Sequence, residues 1–402
     1  MMKKLNYLIG LLLVGGMAFT SCVNEDNPSG NDEWAVKDIP SDKDATPNPV
    51  FGDDEINATI PNFNYSISEE NGWAVVRLDM TGIKDPFTND WVELYGTKHP
   101  KQNVWVSVDG VPKGFTIEKV DNGNTSAVDL VFLVDNSGSM GQEAEGLARD
   151  ITNWAMSLNE KLDIRFGCVG YGYNVGSEYP SLINNYGVSG ALNLTSFENL
   201  DAFLNNRGYY GTQRTVGYAG ADSETLSALA AKDEYSKAGG ECGIQALRFA
   251  DENFNFRTGA NRIYVNFTDD ANYTGGNKDI SIDYVKNVEN WPATKGTIHS
   301  VISNSASRIT ARAAAVGGAE ISWLPSDYTG GTTIYVPSDF SGVTLDDLPV
   351  TGALLNSYII RFTNVAGVLD GQAHKVWITV KSESPNGEIL ANKEYDITFI
   401  KE

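Results

Sequence analysis

Asp129-Leu130-Val131-Phe132-Leu133-Val134-Asp135-Asn136-Ser137-Gly138-Ser139-Met140 is the stretch that decides the fold of this chain. Its apolar run from Leu130 to Val134 lacks polar alternation, which predicts a strand buried on both faces, as in a parallel sheet. Such a strand delivers Asp135 to its carboxyl end, the edge where open α/β sheets bind their ligands. Asp135, Ser137 and Ser139 then set one carboxylate and two hydroxyls at alternate positions, with Gly138 to let the backbone curl. Oxygen donors alone, too few to fill an octahedron, suit a hard cation that keeps positions open for other loops or for a partner's carboxylate. The same serines also suit a cap for the helix that follows.

Downstream, strand and helix patterns alternate. Leu147, Ile151, Trp154, Ala155, Leu158 and Leu162 recur near a 3.6 period, so 143–162 reads as an amphipathic helix. Strands are expected at 164–171, 262–267, 298–302 and 321–324, and helices at 197–204, 225–231, 244–254 and 345–355. The fold class this predicts is α/β, a doubly wound, mainly parallel sheet. The strand at 262–267 ends in Thr268-Asp269-Asp270, which brings Asp269 to the same edge as Asp135. A long Gly- and Tyr-rich loop at 207–221 has the length of a functional or mobile segment.

The D-x-S-x-S pattern on a hydrophobic strand resembles the metal-ion-dependent adhesion site of von Willebrand factor type A domains. Thr268-Asp269 ends its strand as that family's second aspartate motif does. Integrin β subunits place a glutamate near a Gly-rich helix start, and Glu241, in Gly239-Gly240-Glu241-Cys242-Gly243, is similar to it. The resemblance thus implies a metal site of Asp135, Ser137, Ser139, Glu241 and Asp269. Thr212 and Thr215 are the competing donors if the family's threonine variant applies. Mg²⁺ suits hydroxyls, one or two carboxylates and retained waters, while Ca²⁺ and Mn²⁺ stay open.

The flanks follow period two. Runs at 60–67, 73–80, 91–95, 104–108 and 115–120, and later at 358–363, 375–381 and 395–400, are rich in aromatic and β-branched residues between Gly, Pro, Asn and Asp turns. Neither set closes a sandwich alone. We therefore expect a discontinuous β-sandwich, 55–126 and 357–402, with the type A domain at 127–356 inserted into it. That arrangement is similar to the hybrid domain of integrin β subunits.

The N-terminus reads as an address. Lys3 and Lys4 precede an apolar run to Phe19, and Ser21-Cys22 follows. This resembles a bacterial lipoprotein signal, which implies a signal peptide at 1–21 and lipidation of Cys22. Residues 22–54 are mostly polar and expected to form a flexible stalk. Glu25-Asp26 resembles the export signal of surface lipoproteins in Bacteroidota, implying a lipid-anchored, surface-exposed outer-membrane protein.

A net charge of -22 over 402 residues repels phosphate backbones and excludes nucleic acid as a natural partner. The histidines, His99, His299 and His374, fall in no hydrolytic triad pattern, and no phosphate loop or zinc spacing is present, so no enzyme activity is expected. Beyond Cys22 the cysteines are Cys168 and Cys242, for which two buried thiols are the simpler reading and one disulfide the other. The expected function is adhesin-like: a protein or glycan ligand offers a carboxylate that completes the metal shell. The alternative is a structural or assembly subunit of fimbrial-tip type whose sandwich makes the contacts.

Overall fold

In this computed structural model β1 (Phe63–Glu70) and β2 (Trp73–Met80) form a hairpin across Asn71 and Gly72, with φ of 53° and 83°. Two positive φ values in a two-residue loop match the right-handed twist of the strands. The structure describes residues 36 and 38–400, apart from 89, 121–126, 142, 173–186, 206–219, 222, 237–239, 339–343, 346–347 and 364. After the hairpin come β3 (Val104–Val108), β4 (Val111–Pro112) and β5 (Phe115–Lys119).

The chain then builds its α/β part. It runs through β6 (Val128–Asp135), α1 (Glu143–Asn159), β7 (Ile164–Tyr171), β8 (Val188–Thr195), α2 (Phe197–Asn205), β9 (Gly220–Ala221), α3 (Glu224–Ala230), α4 (Asp233–Ser236) and α5 (Gly243–Asn253). It continues through β10 (Asn261–Thr268), β11 (Asn272–Tyr273), α6 (Ile282–Lys286), β12 (Thr297–Ile302), α7 (Ala306–Ala315), β13 (Ala319–Glu320), α8 (Leu324–Thr329), β14 (Thr333–Tyr335) and α9 (Pro349–Leu355). β15 (Tyr358–Phe362), β16 (Ala373–Ser384) and β17 (Gly387–Thr398) follow.

The fold is mixed α/β with several sheets. Seven strands are ordered β14-β12-β10-β6-β7-β8-β9, with β6 central and parallel to both β10 and β7. All eight residues of β6 are buried. Leu130, Phe132 and Val134 pack with Leu147, Ile151, Trp154 and Leu158 of α1, and Leu354 of α9 lies in the same cluster. Val131 and Leu133, pointing the other way, pack with Ile244 and Leu247 of α5. At the far end of β6, buried Asp129 accepts 2.7 Å hydrogen bonds from the backbone N–H and Nε of Arg257. Burial of the strand on both faces explains why its sequence shows no alternation.

Two further sheets, β1-β2-β15-β5 and β17-β16-β3-β4, share one core. Phe63, Leu78, Val106 and Phe115 pack there with Ile360, Val376, Ile378 and Ile397. β5 and β15 are antiparallel neighbours, with Lys119 opposite Tyr358 and Val120 N–H bonded to Ser357 O at 2.8 Å.

Several expectations are corrected. Residues 91–95 form no ladder: Trp91 makes an isolated bridge to Lys84, and Tyr95 N–H is taken by the Asn103 side chain at 2.7 Å. Residues 321–324 are not a strand, because Pro325 in the first turn of α8 starts a helix instead. β8, antiparallel to β7, was absent from the sequence reading. The polar segment expected to be a free stalk up to 54 is held from Val36 onward. Val36 and Ile39 pack on Val75, Asp42 pairs with Lys113, and Asn48 Nδ2 bonds Trp377 O at 3.2 Å. The expected signal peptide and Cys22 lie outside the described residues. No helix among the described residues is long and apolar enough to cross a membrane.

Candidate functional site

β6 ends in Asp135, whose side chain is buried and held at both oxygens. Ser137 N–H donates to Oδ1 at 2.9 Å and Thr268 Oγ1 to Oδ2 at 2.8 Å. Ser137 and Ser139 share a hydroxyl hydrogen bond of 2.9 Å, and Ser139 Oγ donates to Asp269 Oδ1 at 3.0 Å. The turn is a single 3₁₀ turn over Gly138–Gly141, closed by Met140 N–H to Ser137 O at 3.2 Å. Gly138 has no positive φ there and open space around it, so the curl does not depend on a glycine's freedom.

The third loop meets this pair from the side. Glu241 is fixed by its own carbonyl, which accepts Tyr273 N–H at 2.8 Å, while Asn272 Oδ1 accepts Gly243 N–H at 2.8 Å just beyond it. Gly172, directly after β7, makes the room. Its φ is +81°, and a Cβ there would stand 2.8 Å from Glu241 Cγ and 3.3 Å from Asp135 Oδ1. Asn304 Nδ2 bonds Asp269 O at 2.9 Å, tying the β10 loop to the residues before α7.

Three carboxylates thus crowd one end of the sheet. Burial, followed by the charges of Glu241 and Asp269, raises the Asp135 carboxyl well above its usual range. Burial and the charge of Asp269 raise Glu241 as well, partly offset by the Ser137 hydroxyl and by Arg312. Arg312 is itself ion-paired with Asp270. Like charges gathered beside a buried carboxyl repel, and a divalent cation would reverse the balance.

The residues fit such an ion. Its donors would be oxygens of both kinds, carboxylate and hydroxyl, in a cradle that a Cβ at position 172 would fill. Among the described residues, no three His, Cys, Asp or Glu side chains form a ready metal-holding cluster. A cation held here would draw on the hydroxyls of Ser137 and Ser139 as well as on carboxylates.

All five expected ligands, Asp135, Ser137, Ser139, Glu241 and Asp269, belong to this linked cluster. Thr212 and Thr215 lie outside the described residues. Asp270, next to Asp269, is buried and bound by Arg312, with Tyr273 Oη donating to it at 3.1 Å. Sequence reasoning missed Gly172, Tyr273, Asn304 and Arg312. Each reaches the site from a separate loop, strand or helix, and no local pattern marks it. Cys168 and Cys242 are both buried, and burial pushes the Cys242 thiol up to about 12.

No family model matches the sequence, and no curated protein matches it. Solved structures do resemble it. An adhesive tip pilin of group B Streptococcus agalactiae is 16% identical over 36% of this chain and 46% of its own, with a TM-score of 0.21. A pilus adhesin of Lactobacillus rhamnosus GG, in an open conformation, is 11% identical over 86% of this chain and 48% of its own, with a TM-score of 0.31. The chain spans about half the length of these two proteins. A manganese-loaded TRAP protein of Plasmodium vivax is 11% identical over 70% of this chain and 97% of its own, with a TM-score of 0.28. Likeness at these scores carries neither fold nor function across, and the chemistry of the site stands on its own residues.

Proposed function

We propose that the chain is an adhesin-like protein that grips a carboxylate of its partner, protein or glycan, through a divalent cation. The observation that carries this reading is the meeting of Asp135, Ser137, Ser139, Glu241 and Asp269 at one sheet edge, with the nearby Arg312 already engaged by Asp270. Mg²⁺, or else Ca²⁺ or Mn²⁺, would neutralise these carboxylates and offer coordination positions to the ligand. The chain's own work is positioning. Thr268 and the Ser137 N–H orient Asp135, Ser139 restrains Asp269, and Gly172 leaves the space that Glu241 needs. The site binds rather than catalyses in this reading, and nucleic acid is no partner.

The architecture proposed is a von Willebrand type A domain, doubly wound, inserted between two halves of a β-sandwich. The packing of helices on both faces of β6 and the adjacency of β5 and β15 support it. Display at the outer membrane through a lipid on Cys22 is supported by the Lys3 to Cys22 pattern.

Calorimetric titration with Mg²⁺ tests the reading. Wild type binds and Asp135→Ala does not, while Asp135→Asn, free of one buried charge, melts higher than wild type in chelator. Equal Mg²⁺ response from wild type and Asp135→Ala overturns the proposal. Stable co-purification with pilus-like partners that survives chelation would favour the structural-subunit reading instead.

A further inference from the structure

α7 carries Arg308 and Arg312 four residues apart, so the two guanidinium groups share one helical face. Arg312 is spent on Asp270. Arg308 is exposed and makes no side-chain ion pair or hydrogen bond among the described residues. It lines a recess of about 500 Å³ together with Ser139, Glu143, Asp269, Ser303 and Asn304. The recess therefore begins at two of the proposed cation donors and runs to a cation of the protein's own.

Arg308 is the one cationic side chain among the described residues that line the recess. Glu143 Oε1 already accepts from Ser303 Oγ at 3.2 Å and Asp269 Oδ1 from Ser139 Oγ at 3.0 Å. Among the described residues the lining is hydrophilic apart from Val336, with hydroxyls of Ser139, Ser303 and Ser305 beside the charged groups. A hydrophilic ligand with a second anionic group fits this wall, since the planar fork of arginine binds a carboxylate through two parallel hydrogen bonds. In a chain with 30 basic against 52 acidic residues, an unspent arginine beside the site is a specific feature of it.

We infer that the natural ligand is an acidic peptide segment with two carboxylates, one directed to the cation and the second to Arg308. This rests on the cation-mediated reading above. The test uses blocked peptides of Gly and Ser containing two Asp separated by one to three glycines, and matched peptides in which one Asp is Asn. Binding is followed by fluorescence anisotropy in Mg²⁺ and in chelator. For wild type the best diacid peptide binds about tenfold tighter than its mono-acid match, the order of one charge-assisted contact. Arg308→Ala removes that ratio while leaving mono-acid affinity and Mg²⁺ affinity unchanged, and Arg308→Lys restores part of it. The ¹⁵N guanidinium signal of Arg308 moves with the diacid peptide only. If both peptides bind in Mg²⁺ and the ratio ignores Arg308, this inference is overturned alone. If neither peptide binds in an Mg²⁺-dependent manner, the cation reading falls and this inference with it.

Discussion

Thr268 Oγ1 donates a 2.8 Å hydrogen bond to Asp135 Oδ2, joining the carboxyl ends of the neighbouring strands β10 and β6 through the carboxylate proposed to face the cation. Partners of this kind fix the orientation of a metal ligand, and their loss typically costs 10- to 100-fold in metal affinity. Thr268→Val keeps the volume and removes the donor. We expect its Mg²⁺ affinity to fall by about tenfold, measured by calorimetry, with the fold intact by circular dichroism. An unchanged affinity would mean that Asp135 needs no such restraint.

Gly172 predicts a second effect. Alanine there meets both a left-handed backbone, φ +81°, and Glu241 Cγ at 2.8 Å. Strain of this type costs on the order of 1–3 kcal/mol, and the displaced Glu241 should weaken the cation site in parallel. Urea unfolding and Mg²⁺ titration of Gly172→Ala report the two losses separately. Loss of stability without loss of Mg²⁺ affinity would remove Glu241 from the donor set.

His374 gives the sandwich a pH response. Burial by itself would lower its pKa, but hydrogen bonds to Asp109 at 2.6 Å and Asp370 at 2.9 Å outweigh that and raise it above its ordinary 6.5. A raised folded-state pKa means that the stabilisation is complete below the unfolded value and fades as pH climbs through the folded one. Wild type should therefore lose thermal stability as pH rises above about 6.5, while His374→Gln shows a flatter profile over the same range. Parallel profiles for the two proteins would dissociate the effect from this imidazole.

Much of this molecule was legible because single segments carried their own signals. Leu130 to Val134 read as a strand buried on both faces, which it is, and the edge rule put Asp135, Ser137 and Ser139 at its carboxyl end. Asp269 followed from the same edge rule. Ile321 to Leu324 misled because a short apolar run fits strand and helix alike until Pro325 decides it. The polar segment after Val36 was read by composition, whereas its order comes from single anchors such as Asp42 on Lys113 and Asn48 on Trp377. Gly172 and Arg312 were invisible for a different reason: their roles depend on distances to Glu241 and Asp270 that no local pattern encodes.

The pairing of Lys119 with Tyr358 also sets an order in time. β5 leaves the translating machinery long before β15, and β16 and β17, which supply Val376, Ile378 and Ile397, emerge later still. Until all of 120–357 has been made, the first sandwich strands hold an apolar surface without its counterpart. The α/β part, complete in sequence, has the opportunity to fold first, and closure of the sandwich is then a late event that draws its two ends together.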